Sequence, residues 1–367
     1  MKNSLPIAPV LIFILLLAGL KSIALNPDTA RMSSSPVLTN PDPVHTNPKT
    51  DRRNPDPVDT KRDTVRIGIY ITSIHNIDFK DREYTITFWL WLKYNNKRFD
   101  FLKNLEIPNA KKEERTFTTV DSTKKDTISI LMKVQCVMKD SWRIEKFPFD
   151  NQKLWLTIEN SQYPSDSLVF VPEMTGLLLP GTAGWPIDKR IRYAMRGWKI
   201  DSCYFSSGIS TYETAFDDEN IPGPHSEYSA FKVRISISHI GTGLLFCKIF
   251  LGMYIAFLIA YVCLYIRPAN YDSRFQLSVG ALFATIGNKY VIEASLPEST
   301  TFTLVDSLHG LTLFFILLTI AATIISLRIV RLRKKPNAFK FDMIAGQLLF
   351  LIYIICNVIF ISKACSG

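Results

Sequence analysis

Four apolar stretches in the last third of the chain constrain its fold more than any other feature. A helix needs about 20 mostly apolar residues to cross the roughly 30 Å hydrocarbon core of a bilayer. The stretches cover residues 243–266, 275–295, 307–330 and 341–362. The sequence therefore predicts an all-α domain of four transmembrane helices over residues 241–367.

The charges in the loops predict how these helices are oriented. Arg267 and Arg274 lie between the first two stretches and RLRKKPNAFK lies between the last two, whereas the second-to-third loop has neither Lys nor Arg. Lys and Arg concentrate in cytoplasmic loops. Both basic loops are therefore expected in the cytoplasm, with the preceding domain and the C-terminus on the other side of the membrane.

Two segments precede the folded part of the chain. Residues 1–24 combine Lys2, an apolar core and the small-residue site Ser22-Ile23-Ala24, as in a secretory signal peptide, although a first anchor helix is an alternative. Residues 25–63 repeat NPDPV among polar residues. Because this composition cannot bury a core, we expect a disordered or extended linker.

Charge and cysteine content disfavour several classes of protein. The formal net charge is +10, but much of the excess lies in the linker and beside the apolar stretches, so nucleic acid is not an expected partner. The six cysteines follow no metal-ligand spacing, and whether Cys136 and Cys203 form a disulfide is left open. With no nucleophile–base or metal motif, neither an enzyme nor a cofactor is predicted.

Residues 64–240 alternate between apolar and polar side chains, as half-buried strands do. In TITFWLWLKY, for example, the positions of Phe88 and Leu90 share one face and those of Trp89 and Trp91 share the other. Repeated strands of this kind predict an all-β, antiparallel, immunoglobulin-like sandwich. The two Trp residues lie on the face expected to be wet, so they mark a ligand or interface surface unless a long loop covers them.

The order of the motifs resembles the pentameric ligand-gated ion channel (Cys-loop receptor) superfamily, in its prokaryotic branch. The matching elements are FWLWLKY at 88–94, FPFDNQ at 147–152, a hairpin at 203–238 and ASLP at 294–297. Asp140 and Leu154 replace the two cysteines that close the FPxD loop in the eukaryotic branch, and His239 replaces the usual basic residue before the first span.

This resemblance implies a homopentamer or a heteropentamer in a bacterial inner membrane, surrounded by lipid, with its β domain in the periplasm. A homopentamer is the preferred interpretation. A ligand would bind between adjacent β domains and act on a pore lined by the second span. Independently of the resemblance, Glu293, Glu298 and Asp306 would make the outer mouth of this pore acidic, which weakly favours cations. The coupling residues that the resemblance implies are Phe147, Pro148, Phe149, Asp150, His239, Lys289, Glu293 and Pro297. A non-conducting pentameric receptor or scaffold is the alternative.

Ligand-binding residues carry over only in part. Trp89 matches an aromatic position of the family's interface, the hairpin tip offers Tyr212, Phe216 and Tyr228, and Tyr163 is the nearest match to the central aromatic residue. These rings would suit an amine. The acidic residues Asp217, Asp218 and Glu219 would instead suit a divalent ion, or simply form a solvated loop.

Two interpretations of the second span disagree about its pore face. A helical wheel groups its polar residues on one stripe, which includes Lys289 and Glu293. The family register selects nearly the opposite face and makes Phe283 a hydrophobic gate. In that register the pore-lining residues are Gln276, Gly280, Phe283, Gly287, Tyr290 and Ala294.

Overall fold

The computed structural model describes residues 62–122, 127–173, 187–188, 190–191, 195, 197–216, 225–332 and 335–366, with residues 335 and 336 as backbone only. The predicted signal peptide and almost all of the predicted linker lie outside the described residues. The same holds for Asp217, Asp218 and Glu219, the possible divalent site.

The N-terminal domain is rich in β-structure and forms two sheets. Its strands are β1 (Asp63–Asp78), β2 (Glu83–Tyr94), β3 (Leu105–Glu106), β4 (Ala110–Ser122), β5 (Ile128–Lys139), β6 (Asn151–Asn160), β7 (Leu168–Pro172), β8 (Trp198–Tyr212) and β9 (Ser226–His239), with a short helix α1 (Phe101–Asn104) before β3. One sheet has the order β4-β5-β2-β1-β7 and the other β3-β6-β9-β8. The prediction of a β-domain before the apolar helices is confirmed.

The alternating pattern explains why these strands bury one face. Phe88 and Leu90 of β2 and Leu156 of β6 belong to one hydrophobic core that both sheets share. The neighbouring strands are antiparallel, apart from β1 and β7, which pair in parallel. The expectation of a wholly antiparallel arrangement is wrong at this pair, because the chain crosses from β6 in one sheet to β7 in the other.

Four long helices follow the β-domain. They are α2 (Thr242–Val262, extended by a 3₁₀ turn at Cys263–Tyr265), α3 (Tyr271–Glu293), α4 (Leu304–Arg331) and α5 (Lys335–Cys365). Within the described residues, three helical segments, Thr242–Tyr265, Leu304–Arg331 and Asn337–Cys365, are long and apolar enough to cross a membrane. The remaining helix, α3, has 23 residues but a more polar composition.

The β-domain joins the helices through a short, well-defined junction. Strand β9 ends at His239 and α2 begins at Thr242. Between them Gly241 has a φ of 67°, a left-handed conformation that glycine adopts without a side-chain clash. Elsewhere at this junction, the backbone NH of Leu304 donates to the carbonyl oxygen of Glu145 at 2.8 Å.

Cys136 and Cys203 do not form a disulfide. Cys136 lies on β5 and Cys203 on β8, so they belong to different sheets, and both thiols are free and buried. Burial raises the pKa of each thiol to about 12, because the interior disfavours the thiolate. Both side chains therefore act as small apolar core residues.

Candidate functional site

Three aromatic residues meet at the tip of the β8–β9 hairpin. The ring centroids of Tyr212 and Phe216 are 5.4 Å apart, those of Tyr212 and Tyr228 are 5.9 Å apart, and those of Phe216 and Tyr228 are 6.4 Å apart. Phe216 is exposed, whereas Tyr228 is buried. The hairpin residues predicted to bind a ligand therefore form one cluster, the hairpin aromatic cluster, with an exposed ring at its edge.

A buried carboxylate supports this cluster from the adjacent strand. Glu159 on β6 is buried and accepts a hydrogen bond from the Tyr212 hydroxyl at 2.8 Å. Burial and this carboxylate raise the pKa of Tyr212 well above its usual range, because both disfavour the phenolate. Tyr212 therefore stays a neutral hydrogen-bond donor, and the negative charge here belongs to Glu159.

Tyr163 lies with a different group of residues. Its ring centroid is 4.7 Å from that of Phe99, and its hydroxyl donates to the carbonyl oxygen of Arg98 at 3.0 Å. These contacts place Tyr163 against the loop before α1.

Trp89 lies on the outer face of the five-stranded sheet, where it is half-buried. Its ring packs edge-on against Phe117 of β4, with centroids 5.5 Å apart. Lys133 of β5 is directly opposite Trp89 and places its ammonium 5.8 Å from the ring centroid. Trp89 thus already interacts with a cation of its own chain, and it belongs to a different sheet from the hairpin aromatic cluster.

Trp91 explains the glycine at position 68. Gly68 is opposite Trp91 across the β1–β2 pair. A Cβ at Gly68 would collide with the indole ring. The missing side chain therefore leaves room for the half-buried Trp91 ring over β1.

All six predicted pore-lining residues are on exposed positions of α3 or, for Ala294, directly after it. Phe283 is 67% exposed and Tyr290 is 75% exposed. The opposite side of α3 faces the other helices of the same chain, with Ser278, Ala281 and Thr285 buried. Within one chain, therefore, the part of the polar stripe around Ser278 and Thr285 faces inward, Glu293 at its end is exposed, and the Phe283 side faces outward.

A buried ion pair holds the start of α3 against the other helices. Arg274 and Asp342 are almost fully buried, and the guanidinium nitrogen lies 2.7 Å from the Asp342 carboxylate. Arg274 also donates to the carbonyl oxygens of Leu264 and Ile266, while Ser326 donates to Asp342 at 2.9 Å. The pair connects all four long helices, since these partners come from α3, α5, α4 and the end of α2.

A second polar contact within the helical bundle joins α3 to α2 and α4. The Asn288 amide donates to the carbonyl oxygen of Ile249 at 3.3 Å, and lies 3.0 Å from the His309 ring nitrogen Nε2. The other ring nitrogen is 2.8 Å from the carbonyl oxygen of Val305. Because a carbonyl only accepts, His309 donates from Nδ1 and accepts from Asn288 at Nε2.

Lys289 lies between two carboxylates. Its ammonium is 3.1 Å from Glu293, four residues along α3, and 2.9 Å from Asp306 on α4. Asp306 also forms a capping box with Thr303 at the start of α4. Two of the acidic residues expected to attract cations to the outer mouth, Glu293 and Asp306, therefore share one lysine.

The FPFD loop, Phe147–Asp150, lies between the β-domain and the helices. Phe147, Pro148 and Asp150 are buried, and the ring of Phe149 is 5.5 Å from that of Phe246 on α2. Pro297 is also buried, in the α3–α4 loop. In that loop the carbonyl oxygen of Glu298 accepts a hydrogen bond from Arg82 at 2.8 Å.

His239 and Asp150 face each other beside this loop. The distance from His239 Nε2 to Asp150 Oδ1 is 3.6 Å, and the two side chains are 7% and 4% exposed. The His239 ring lies on Trp198, with centroids 3.7 Å apart. The other Asp150 oxygen accepts from the Gln152 amide.

Several contact partners were not predicted from the sequence: Asp342 for Arg274, Lys133 for Trp89 and Glu159 for Tyr212. For Asp342 a signal was present, because a single acidic residue in an otherwise apolar span is costly and needs a partner. Lys133 and Glu159 gave no comparable signal, since each is recognised only from the strand pairing that brings it beside Trp89 or Tyr212.

Comparison with known proteins identifies no family for this chain, so any assignment of function depends on its residues and their geometry. No family model matches the chain, and no curated protein matches it closely. Among the residues that the structure describes, no three His, Cys, Asp or Glu side chains are grouped as metal ligands. A function must therefore be inferred from the sequence motifs together with this arrangement.

Proposed function

We propose that this protein is a subunit of a pentameric ligand-gated ion channel. The two sheets form an immunoglobulin-like sandwich outside the cytoplasm, and all four long helices cross the membrane. Ligand binding between adjacent β-domains is transmitted to a pore that α3 lines. Most of this proposal comes from the family resemblance of the sequence, and one structural observation supports it in particular.

That observation is the orientation of α3. Arg274, Asn288 and Lys289 of α3 use their side chains for contacts within the subunit. The outward side of α3 carries Phe283 and Tyr290, both largely exposed in a single chain. Five copies around an axis would direct this outward side to a central pore, with Phe283 as a hydrophobic ring that closes by excluding water.

The ligand site would combine elements of two neighbouring subunits. The hairpin aromatic cluster with Glu159 would come from one subunit, and Trp89 with Lys133 would come from the next. A small ligand at such a site would meet aromatic rings from both sides, an anion from one and a cation from the other.

Coupling would pass through the contacts at the domain junction. The FPFD loop contacts α2 through Phe149 and Phe246. The α3–α4 loop is held to the β-domain through Arg82 and Glu298. A movement of the β-domain would therefore also move the loop that follows α3.

Reconstitution in planar bilayers tests the proposal. The purified full chain is screened with amines, carboxylic acids, divalent ions and steps of pH. We expect discrete currents whose conductance or opening changes in Phe283→Ala and in Gln276→Ala. The matched control is Ile344→Ala on α5, an exposed position outside the proposed pore, which should leave the current unchanged.

Thiol accessibility provides a second test. In a background without the exposed and partly exposed cysteines Cys247, Cys356 and Cys365, a charged thiol reagent should block current through Phe283→Cys but not through Ile344→Cys. Pentamers that form normally and conduct under none of these conditions would contradict the proposal. That result would favour a non-conducting receptor instead.

A further inference from the structure

We propose that the outer face of the four-stranded sheet binds an extended acidic segment of a partner protein. The residues concerned, which we call the basic face, are Lys153 and Trp155 on β6, Tyr204 on β8, and Lys232 and Arg234 on β9. Binding here goes beyond channel function, because none of these residues belongs to the proposed ligand site or to the pore.

The two-residue period of the strands puts these side chains on one side of the sheet. On β9, Val233 and Ile235 are buried in the core, so Arg234 between them points outward. The same alternation on β6 and β8 turns Trp155 and Tyr204 outward, and Tyr204 is 56% exposed. The basic face is therefore the solvent side of the sheet.

The strand register arranges the basic face in three successive rows. Arg234 is directly opposite Trp155 on one side and Tyr204 on the other. Lys232 belongs to the row on one side of this central row, and Lys153 belongs to the row on the other side. Neighbouring rows on one face of a sheet are roughly 6.8 Å apart. Each row thus contains one cation, and the cations repeat at that distance along the sheet.

The central cation is held in place without a charged partner. The guanidinium carbon of Arg234 lies 4.0 Å from the centroid of the Trp155 ring. A stacked guanidinium keeps the N–H donors at its edge available for a carboxylate. Among the residues that the structure describes, no carboxylate pairs with Arg234, which is itself exposed. Arg234 is therefore oriented to bind an anion from outside the chain.

No acidic residue offsets the cations within the three rows. The Lys232 ammonium donates to the carbonyl oxygen of Ile209 at 3.1 Å, a contact that leaves its charge uncompensated. The remaining positions of the rows carry hydroxyl groups, on Thr157, Ser202, Ser206 and Ser236. A positive surface with neighbouring hydroxyl groups attracts an anionic partner and offers it hydrogen bonds.

Spacing and composition favour a polypeptide as this partner. Alternate side chains of an extended peptide repeat at roughly 6.8 Å, the same distance as the rows. Acidic side chains at every second position would therefore meet Lys232, Arg234 and Lys153 in turn. Arginine, tryptophan and tyrosine are also the residues enriched at protein–protein interfaces and among their energetic hot spots.

Two acidic peptides of identical composition test the proposal. One has three glutamates at every second position, and the other has the same three glutamates side by side. Their binding to the purified full chain in detergent is measured by fluorescence anisotropy. We expect the alternating peptide to bind about threefold more tightly, because the grouped peptide cannot pair with all three rows at once.

Single substitutions locate the binding site. Arg234→Gln should weaken binding of the alternating peptide about tenfold, as the loss of an interface hot spot does. Arg234→Lys should recover only part of this loss, because lysine keeps the charge but lacks the planar guanidinium. Lys139→Gln is the matched control, since it removes the same charge from an exposed position of the other sheet and should leave binding unchanged. Near-UV circular dichroism confirms that each variant is folded.

Three outcomes would overturn the proposal. Equal binding of the two peptides, or equal losses in Lys139→Gln and Arg234→Gln, would leave only non-specific attraction. Tighter binding of polygalacturonate that depends on Arg234 would assign the basic face to an acidic polysaccharide instead. None of these measurements uses current. Silent bilayers with intact peptide binding would therefore refute the channel alone, whereas conducting bilayers without peptide binding would refute the role of the basic face alone.

Discussion

The β-domain and the helical domain both bury apolar side chains, but they differ in which charged groups they bury and in which side chains they expose. In the β-domain the shared core consists of residues such as Phe88, Leu156 and Ile235, and most charges lie outside it. In the helical domain, buried positions include Arg274 and Asp342, while aliphatic residues such as Ile344 point outward.

The difference follows from the medium that each domain meets. Burying apolar surface stabilises the β-domain, because water is its surroundings. Between helices in lipid that driving force is absent, so close packing and hydrogen bonds decide which helices associate. The Arg274–Asp342 pair and the Asn288–His309 contact are therefore expected to specify the helical arrangement, a role that the apolar core performs in the β-domain.

The largest effect is expected from breaking the buried ion pair. Asp342→Asn leaves Arg274 charged, buried and without its counter-ion, which typically costs about 3–5 kcal/mol. We expect a matching loss of thermal stability and yield in detergent. Glu293→Gln, in a half-exposed pair, should cost about 0–1 kcal/mol. Equal losses for the two variants would show that burial does not set the difference.

The same truncation in each domain tests the comparison most directly. Ile235→Ala in the β-domain core should cost about 2–5 kcal/mol, through lost burial and a cavity. Ile344→Ala, at a position that is 69% exposed, should change stability by less than about 0.5 kcal/mol. Melting curves of the two variants provide the measurement. A large cost at Ile344 would mean that another subunit covers that face.

A smaller effect is expected where a side chain is added. Gly68→Ala should cost about 1–3 kcal/mol, because the new methyl group would collide with Trp91. Gly208→Ala is the control in the other sheet, since its nearest contact would be the Lys232 side chain at 3.9 Å. Thermal melting and tryptophan fluorescence report both variants. A neutral Gly68→Ala would show that the Trp91 ring moves freely.

The smallest effect is expected at the start of α4. Thr303→Ala removes the side chain that caps this helix and should cost about 1 kcal/mol. Thr303→Ser keeps the hydroxyl and should stay near wild type. If both variants melt together, below wild type, the methyl group rather than the cap is responsible.

Local patterns were enough to predict much of the fold. The two-residue period of β2 places Phe88 and Leu90 in the core and leaves Trp89 half-buried, and long apolar stretches coincide with α2, α4 and α5. The parallel pairing of β1 with β7 was not predictable in this way, because it joins segments about 100 residues apart in sequence.

The candidate site was predictable only where its residues are close in sequence. Tyr212, Phe216 and Tyr228 belong to one hairpin, so their proximity follows from the turn. The spacing of Lys289 and Glu293 likewise permits a pair on one helix. The second partner of Lys289, Asp306, lies on the next helix and depends on how α3 and α4 pack.

The junction between β9 and α2 has a mechanical consequence. The 14 residues of β9 extend roughly 46 Å, and the 21 residues of α2 extend roughly 32 Å. Only Ile240 and Gly241 separate them. Because so few residues join the strand to the helix, a tilt of β9 at its hairpin end is expected to change the tilt of α2 as well.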